Sequence, residues 1–257
     1  MGILEGKNIL VTGVTMRTSI AYAVVDIAQR EGANVVVSAA GRAVRPAERA
    51  VAKLDRVPPL IELDITDQEH LDALPAMLGE HFDGGLDGIV HSIAYADPEK
   101  ALGGQFLNTD WDTVANALQI SAYSLQSLTM AAKPMLNRGA GVVGLTFDAR
   151  YSWPAYDWMG VAKAALESTS RYLARYLGPD GIRVNMVAAG PVDTVAKKAI
   201  PGASSFNNIW AERAPLSWDA GDAVPSAKAV VALLSDWFPA TTGEMVHVDG
   251  GLHSTGA

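Results

Sequence analysis

Tyr156 and Lys163 lie seven residues apart in a stretch whose apolar spacing predicts a helix over 155–177. Seven residues are about two helical turns, so both side chains leave one face, with about 20° of drift and roughly 10.5 Å between their Cα atoms. The long lysine stem leans back toward the helix N-terminus, where Pro154 suits a first helical position. A phenol and an ammonium converging in this way suit proton donation and the clamping of a cofactor. The spacing fits a packing tyrosine and a solvated lysine equally well, and does not by itself separate the two.

Such a pair needs a scaffold. Apolar, β-rich runs occur at 8–11, 34–38, 60–63, 88–91, 141–146, 182–187 and 244–248, and helical periodicity at 19–31, 67–80, 110–136 and 155–177. Runs that are apolar throughout are strands covered on both faces. Their alternation with helices implies right-handed crossovers and a doubly wound, Rossmann-like α/β fold, a parallel sheet of about seven strands. Glu31-Gly32, Asp83-Gly84-Gly85 and Gly178-Pro179-Asp180-Gly181 supply turns between helix and strand. With no repeat or linker visible, residues 1–257 read as one domain. Residues 190–221 carry Pro191, Pro201, Gly202 and Pro215 between helical patches at 194–199 and 206–212. Ligands of such folds bind beyond the carboxyl ends of the strands, so this excursion is a candidate lid, roughly 193–215, over a substrate.

Composition narrows the classes. The chain has no cysteine, which removes thiolate metal sites and cysteine nucleophiles, and no metal site is expected. A net charge of −8 argues against a nucleic-acid binder. Hydrophobic residues at 49% and charged residues at 19% are globular proportions. No apolar run approaches a membrane span, and the first six residues lack the pattern of a signal peptide, so the expected location is the cytoplasm.

Three strand ends suit a dinucleotide. After the first strand, Gly13 supplies a tight turn and Ser19 a helix cap, although the three-glycine fingerprint is absent. Asp64 closes the third strand, where a carboxylate could accept from an adenine amino group. Ser92 and Ala94 close the fourth, where small residues let backbone approach a ligand. Asp64 also reads as a helix cap and Ser92 as a turn former. The second strand ends Ser38-Ala39-Ala40-Gly41-Arg42 with no acid for a ribose hydroxyl, so NAD and NADP both stay open.

Gly13-x5-Ser19-Ile20-Ala21, Val90-His91-Ser92-Ile93, Ile120-Ser121-Ala122-Tyr123, Tyr156-x6-Lys163, Val187-Ala188-Ala189-Gly190-Pro191 and Ala240-Thr241-Thr242-Gly243 occur in order along the chain. Together they resemble the NADH-dependent enoyl-acyl-carrier-protein reductases, a divergent branch of the short-chain dehydrogenase/reductase superfamily. Phe147-Asp148 before the Tyr/Lys helix and Leu233-Leu234-Ser235-Asp236-Trp237 before the last strand are similar to the mycobacterial, mycolate-pathway type. The resemblance implies hydride transfer from NADH to the β-carbon of a trans-2-enoyl thioester, carried on acyl-carrier protein or coenzyme A. Tyr156 would stabilise the resulting enolate, Lys163 would hold the nicotinamide ribose, and Phe147 would position the substrate. It further implies a cofactor site of Gly13, Ser19, Ile20, Asp64, Ile65, Ser92, Ile93, Lys163, Val192 and Thr194. The substrate residues would be Ala94, Tyr95, Trp153, Tyr156, Ala196 and Ile200, in a homotetramer. A carbonyl reductase of the superfamily would have Lys four residues after the tyrosine and Ser thirteen before it. Those positions hold Gly160 and Val143.

Several residues depart from the resemblance. Asp193 stands where the family carries arginine, Ala94 where it carries glycine, and Trp153 where the mycobacterial type carries methionine. The lid is roughly ten residues shorter than in the long-chain enzymes. Ala94, Trp153 and the short lid all imply a short or medium acyl chain, although Trp153 also reads as core packing. Lys197-Lys198 could steer an acidic carrier protein, or be solvated lysines. A reductase of the same fold recruited to secondary metabolism is one alternative, and a nicotinamide-binding protein that has lost catalysis is the alternative of a different class.

Overall fold

The computed structural model describes residues 2–256; the side chain of Ala196 lies outside the described residues. Seven strands form one sheet: β1 (Asn8–Thr12), β2 (Asn34–Ala39), β3 (Leu60–Glu62), β4 (Leu86–His91), β5 (Leu136–Thr146), β6 (Arg183–Ala189) and β7 (Met245–Val248). Their order is β3-β2-β1-β4-β5-β6-β7, and every neighbouring pair is parallel. The helices are α1 (Ile20–Arg30), α2 (Val44–Val51), α3 (Gln68–Gly79), α4 (Trp111–Leu118), α5 (Ser124–Ala132), α6 (Asp157–Leu177), α7 (Val195–Lys198), α8 (Ser204–Arg213) and α9 (Val224–Leu234).

Strand alternation divides the core in two. Leu10 of β1 faces a cluster with Leu74 of α3, Leu125 of α5 and Leu166 of α6. Ile9 and Val11 of the same strand face the other cluster, with Val24 of α1, Val51 of α2 and Val230 of α9. Burial on both sides is why these strands read as unbroken apolar runs, and each such side chain contributes about 1.5–3 kcal/mol. From β1 the chain winds outward through β2 and β3, then returns to β4 on the other side of β1 and continues to β7. The reversal opens a crevice at the carboxyl ends of β1 and β4, where ligands of doubly wound sheets bind.

Two helices differ from their sequence patterns. The segment 110–136 is not one helix: a five-residue π-helix, Gln119–Tyr123, separates α4 from α5, and the chain leaves helix near Pro134 to enter β5 at Leu136. The helix expected from 155 begins at Asp157, so Pro154 lies outside it. Ala155 (φ 61°) and Asp157 (φ 40°) sit in the left-handed region and break the helical path there. The Asp157 carboxylate offsets that strain by accepting from the Gly104 (2.6 Å) and Gln105 (3.0 Å) amides.

Candidate active site

Beyond the carboxyl ends of β5 and β6 lies a cavity of about 260 Å³. Tyr156, the residue before α6, is buried in its wall with its ring centroid 5.3 Å from that of Phe147, which follows β5. Among the described residues, no hydrogen-bond partner for the Tyr156 hydroxyl occurs, so the donor is free for a ligand. Burial pushes the phenol well above its ordinary pKa, and the Glu167 carboxylate adds to the shift. The hydroxyl therefore remains a protonated donor throughout the neutral range.

Lys163 of α6 lines the same cavity, is buried and donates from Nζ to the Leu145 carbonyl at 2.9 Å. Burial lowers its pKa to about 8, against the opposing pull of Glu167. Glu167 lies one turn further along and accepts from Thr146 Oγ1 (2.7 Å) and the Ala149 amide (3.0 Å), which locks the exit of β5 to α6. The sequence reading missed Glu167; its signal was an acid on the buried face of α6, four residues after the lysine.

The β1–β4 crevice meets the fit required of a dinucleotide. Gly13 has φ +75°, and a Cβ there would lie 1.9 Å from the Ser92 carbonyl oxygen, so only glycine permits this approach of the two strand ends. Thr12 Oγ1 ties them together, donating to the Val90 carbonyl (2.9 Å) and accepting from the Ser92 amide (3.1 Å). Ser19 caps α1, accepting from the Tyr22 amide at 3.2 Å and donating to the Met16 carbonyl at 2.7 Å. The open N-terminus of α1 is the positive end of a helix, suited to a pyrophosphate. Asp64 does not cap α3, a role taken by Asp67; it closes a turn by accepting from the Thr66 amide (2.9 Å) and hydroxyl (2.7 Å). The acid absent from the end of β2 arrives from the neighbouring strand: Glu62 of β3 accepts from the Gly41 amide at 3.2 Å, while Arg42 and Arg45 are exposed.

Ile20, Ala94, Tyr95, Phe147, Tyr156, Lys163, Val192, Thr194 and Ile200 converge on the one cavity. Gly13, Ser19, Ser92, Asp64, Ile65 and Ile93 lie outside its wall: the first three form the crevice, Asp64 and Ile65 follow β3, and Ile93 packs against the core. Trp153 stands behind Phe147 and lines a separate cavity. The side chain of Ala196 is outside the described residues. Lys197 is not a free surface cation. Its side chain is 10% exposed and pairs with Asp193 at 2.5 Å and with Asn207. The acid at 193 is thus neutralised by α7, and of the two lysines only Lys198 is exposed.

Residues 13–253 match a family model described as enoyl-(acyl carrier protein) reductase. An enoyl-acyl-carrier-protein reductase (NADH) of Mycolicibacterium smegmatis is 43% identical over 97% of both chains, and one of Mycobacterium avium is likewise 43% identical over 97% of both. A Staphylococcus aureus relative named as an NADPH enzyme is 35% identical over 98% of both chains. The chain belongs to the enoyl-(acyl carrier protein) reductase family.

This reductase also carries a positioning device that the sequence did not reveal. The π-helix turns Ser121 toward the segment after β4, where its hydroxyl accepts from the Tyr95 amide (2.8 Å) and donates to the Tyr95 carbonyl (2.9 Å). The cavity-lining run Ala94–Ala96 is held by this one buried side chain. Apolar periodicity cannot register a widened helical turn, and nothing in Ile120-Ser121-Ala122 marks one.

Proposed function

We propose that the protein reduces the 2,3 double bond of trans-2-enoyl thioesters with NADH, through the residues around the cavity. The observation that carries this reading is the burial of the Tyr156 hydroxyl and the Lys163 ammonium in one largely apolar cavity beside Phe147. Bound NADH supplies the hydride that reaches the substrate's β-carbon. Tyr156 donates its hydrogen bond to the thioester oxygen, where negative charge develops, and does so in a site shielded from water. A bond to a charged acceptor contributes about 1.5–3 kcal/mol. Phe147 holds the enoyl group flat against its ring, and Tyr95, Ala94 and Ile200 enclose the chain. Lys163 and Thr194, with Gly13, Ser19, Ile20, Asp64, Ile65, Ser92, Ile93 and Val192, would hold the cofactor.

Glu62 supports NADH over NADPH, because a carboxylate beside the β2 turn accepts from hydroxyls and repels a phosphate. Of the relatives named above, two are named as NADH enzymes and one as an NADPH enzyme. The reading extends to one reductase domain with its lid at 193–215, acting in the cytoplasm as a homotetramer on short or medium acyl chains. Acyl-carrier protein and coenzyme A are both suitable carriers. Steady-state oxidation of NADH and NADPH with trans-2-butenoyl and trans-2-octenoyl thioesters, with light scattering for mass, tests it. NADH turnover by a tetramer is expected, with Glu62→Gln improving use of NADPH. Turnover of a ketone but of no enoyl thioester contradicts the reading.

A further inference from the structure

A second cavity, of about 480 Å³, lies on the far side of Phe147 from the first. Phe147 and Ala189 line both. Between them stands an aromatic partition two rings thick. Phe147 and Phe206, with centroids 5.3 Å apart, face the catalytic cavity, and Trp153 and Trp210, also 5.3 Å apart, face the second. The layers touch, Phe147 lying 5.2 Å from Trp153 and stacking on Trp210 at 5.5 Å.

The partition is built to stay in place. Trp153 Nε1 donates to the Asp148 carbonyl at 3.0 Å, and the Asp148 carboxylate is held by Arg150 at 2.6 and 2.8 Å. Trp210 is 2% exposed, and its Nε1 is buried without a hydrogen-bond partner among the described residues. Burying that donor unpaired is unfavourable, so the indole is present for its shape rather than its polar atom. The backbone makes room for it: a Cβ at Gly190 would come within 2.8 Å of Trp210 Nε1.

We propose that Trp153 and Trp210 set the acyl-chain length this enzyme accepts, by closing the catalytic cavity against the second one. The inference rests on the enoyl-reductase reading and adds to it where the chain must stop. Each methylene buried before the wall raises kcat/KM about fourfold, and a chain that meets the wall gains nothing or is penalised by overpacking. The indoles act through the phenyl layer that they brace: with one removed, Phe147 or Phe206 can turn into the space it leaves, and a longer chain reaches the apolar surface of Ile209 and Leu252 beyond.

The test is kcat/KM with NADH for trans-2-enoyl-coenzyme A substrates of four to twelve carbons, in wild type, Trp210→Ala and Trp153→Leu. The readout is the ratio of the twelve-carbon to the four-carbon value. A ratio at least about tenfold higher in either variant, matching two or more additional buried methylenes, is the expected result. Trp153 is only half-buried, so its leucine variant keeps the test decisive if Trp210→Ala does not fold. Turnover with an unchanged ratio in a folded variant overturns the inference alone. Absence of turnover at every length in wild type overturns the reductase reading, and the inference with it.

Discussion

Lys163 Nζ donates to the carbonyl of Leu145 at 2.9 Å, joining the interior of α6 to the end of β5 beside the cavity that Tyr156 lines. That bond uses one of the three ammonium protons and aims the rest at the cavity. Burial holds the pKa near 8, so the charge is lost close to neutrality. NADH affinity is expected to fall as pH rises through about 8. Lys163→Met should weaken binding about 10- to 100-fold and abolish that pH dependence. Fluorescence titration of NADH from about pH 7 to about pH 10 measures both. A flat profile in wild type would contradict the assignment.

Ser121 offers a test of positioning. Ser121→Ala leaves the partly buried amide and carbonyl of Tyr95 without their partner, at a cost of about 1 kcal/mol. The run 94–96 lines the cavity proposed to hold the substrate. KM for the enoyl thioester should therefore rise more than kcat falls, and the affinity for NADH should change little. An equal loss in kcat at unchanged KM would assign Ser121 a different role.

His91 makes the fold sensitive to acid. It is fully buried at the end of β4, 2.7 Å from Ser124 Oγ, whose own proton goes to the Ile120 carbonyl at 2.7 Å. Its Nε2 is therefore the protonated, donating nitrogen, and Nδ1 is a buried acceptor without a partner among the described residues. Burial, with the nearby charge of Lys163, lowers its pKa from 6.5 to about 3. The unfolded chain takes up a proton that the folded chain excludes. Stability from this group is complete above pH 6.5 and falls toward about pH 3, by about 1.4 kcal/mol per pH unit. Urea denaturation of wild type beside His91→Gln should show that slope only in wild type; parallel curves would refute it.

Each of the seven strands overlaps an apolar run, although β5 begins five residues before its run, and the central strands read as unbroken because both faces of the sheet are covered. The π-turn at Gln119–Tyr123 and the left-handed residues Ala155 and Asp157 were not legible, since each is held by contacts to distant loops. α2 carries Pro46 in its first turn, and neither it nor α9 stood out from its surroundings. Tyr156, Lys163 and Phe147, named from the resemblance, line one cavity. Glu62, Glu167 and Ser121 act through partners 18 to 26 residues away, which no local pattern encodes. The Asp193–Lys197 pair shows the reverse case: an acid and a lysine that looked separate in the sequence neutralise each other across one helical turn.

The proposed function depends most on the Tyr156 hydroxyl stabilising charge on an enoyl thioester. The most direct measurement compares wild type with Tyr156→Phe, which removes the oxygen and keeps the ring against Phe147, using NADH and trans-2-octenoyl-coenzyme A. A fall in kcat of about 10- to 100-fold with NADH binding unchanged is expected. Full kcat in the folded phenylalanine variant would contradict it.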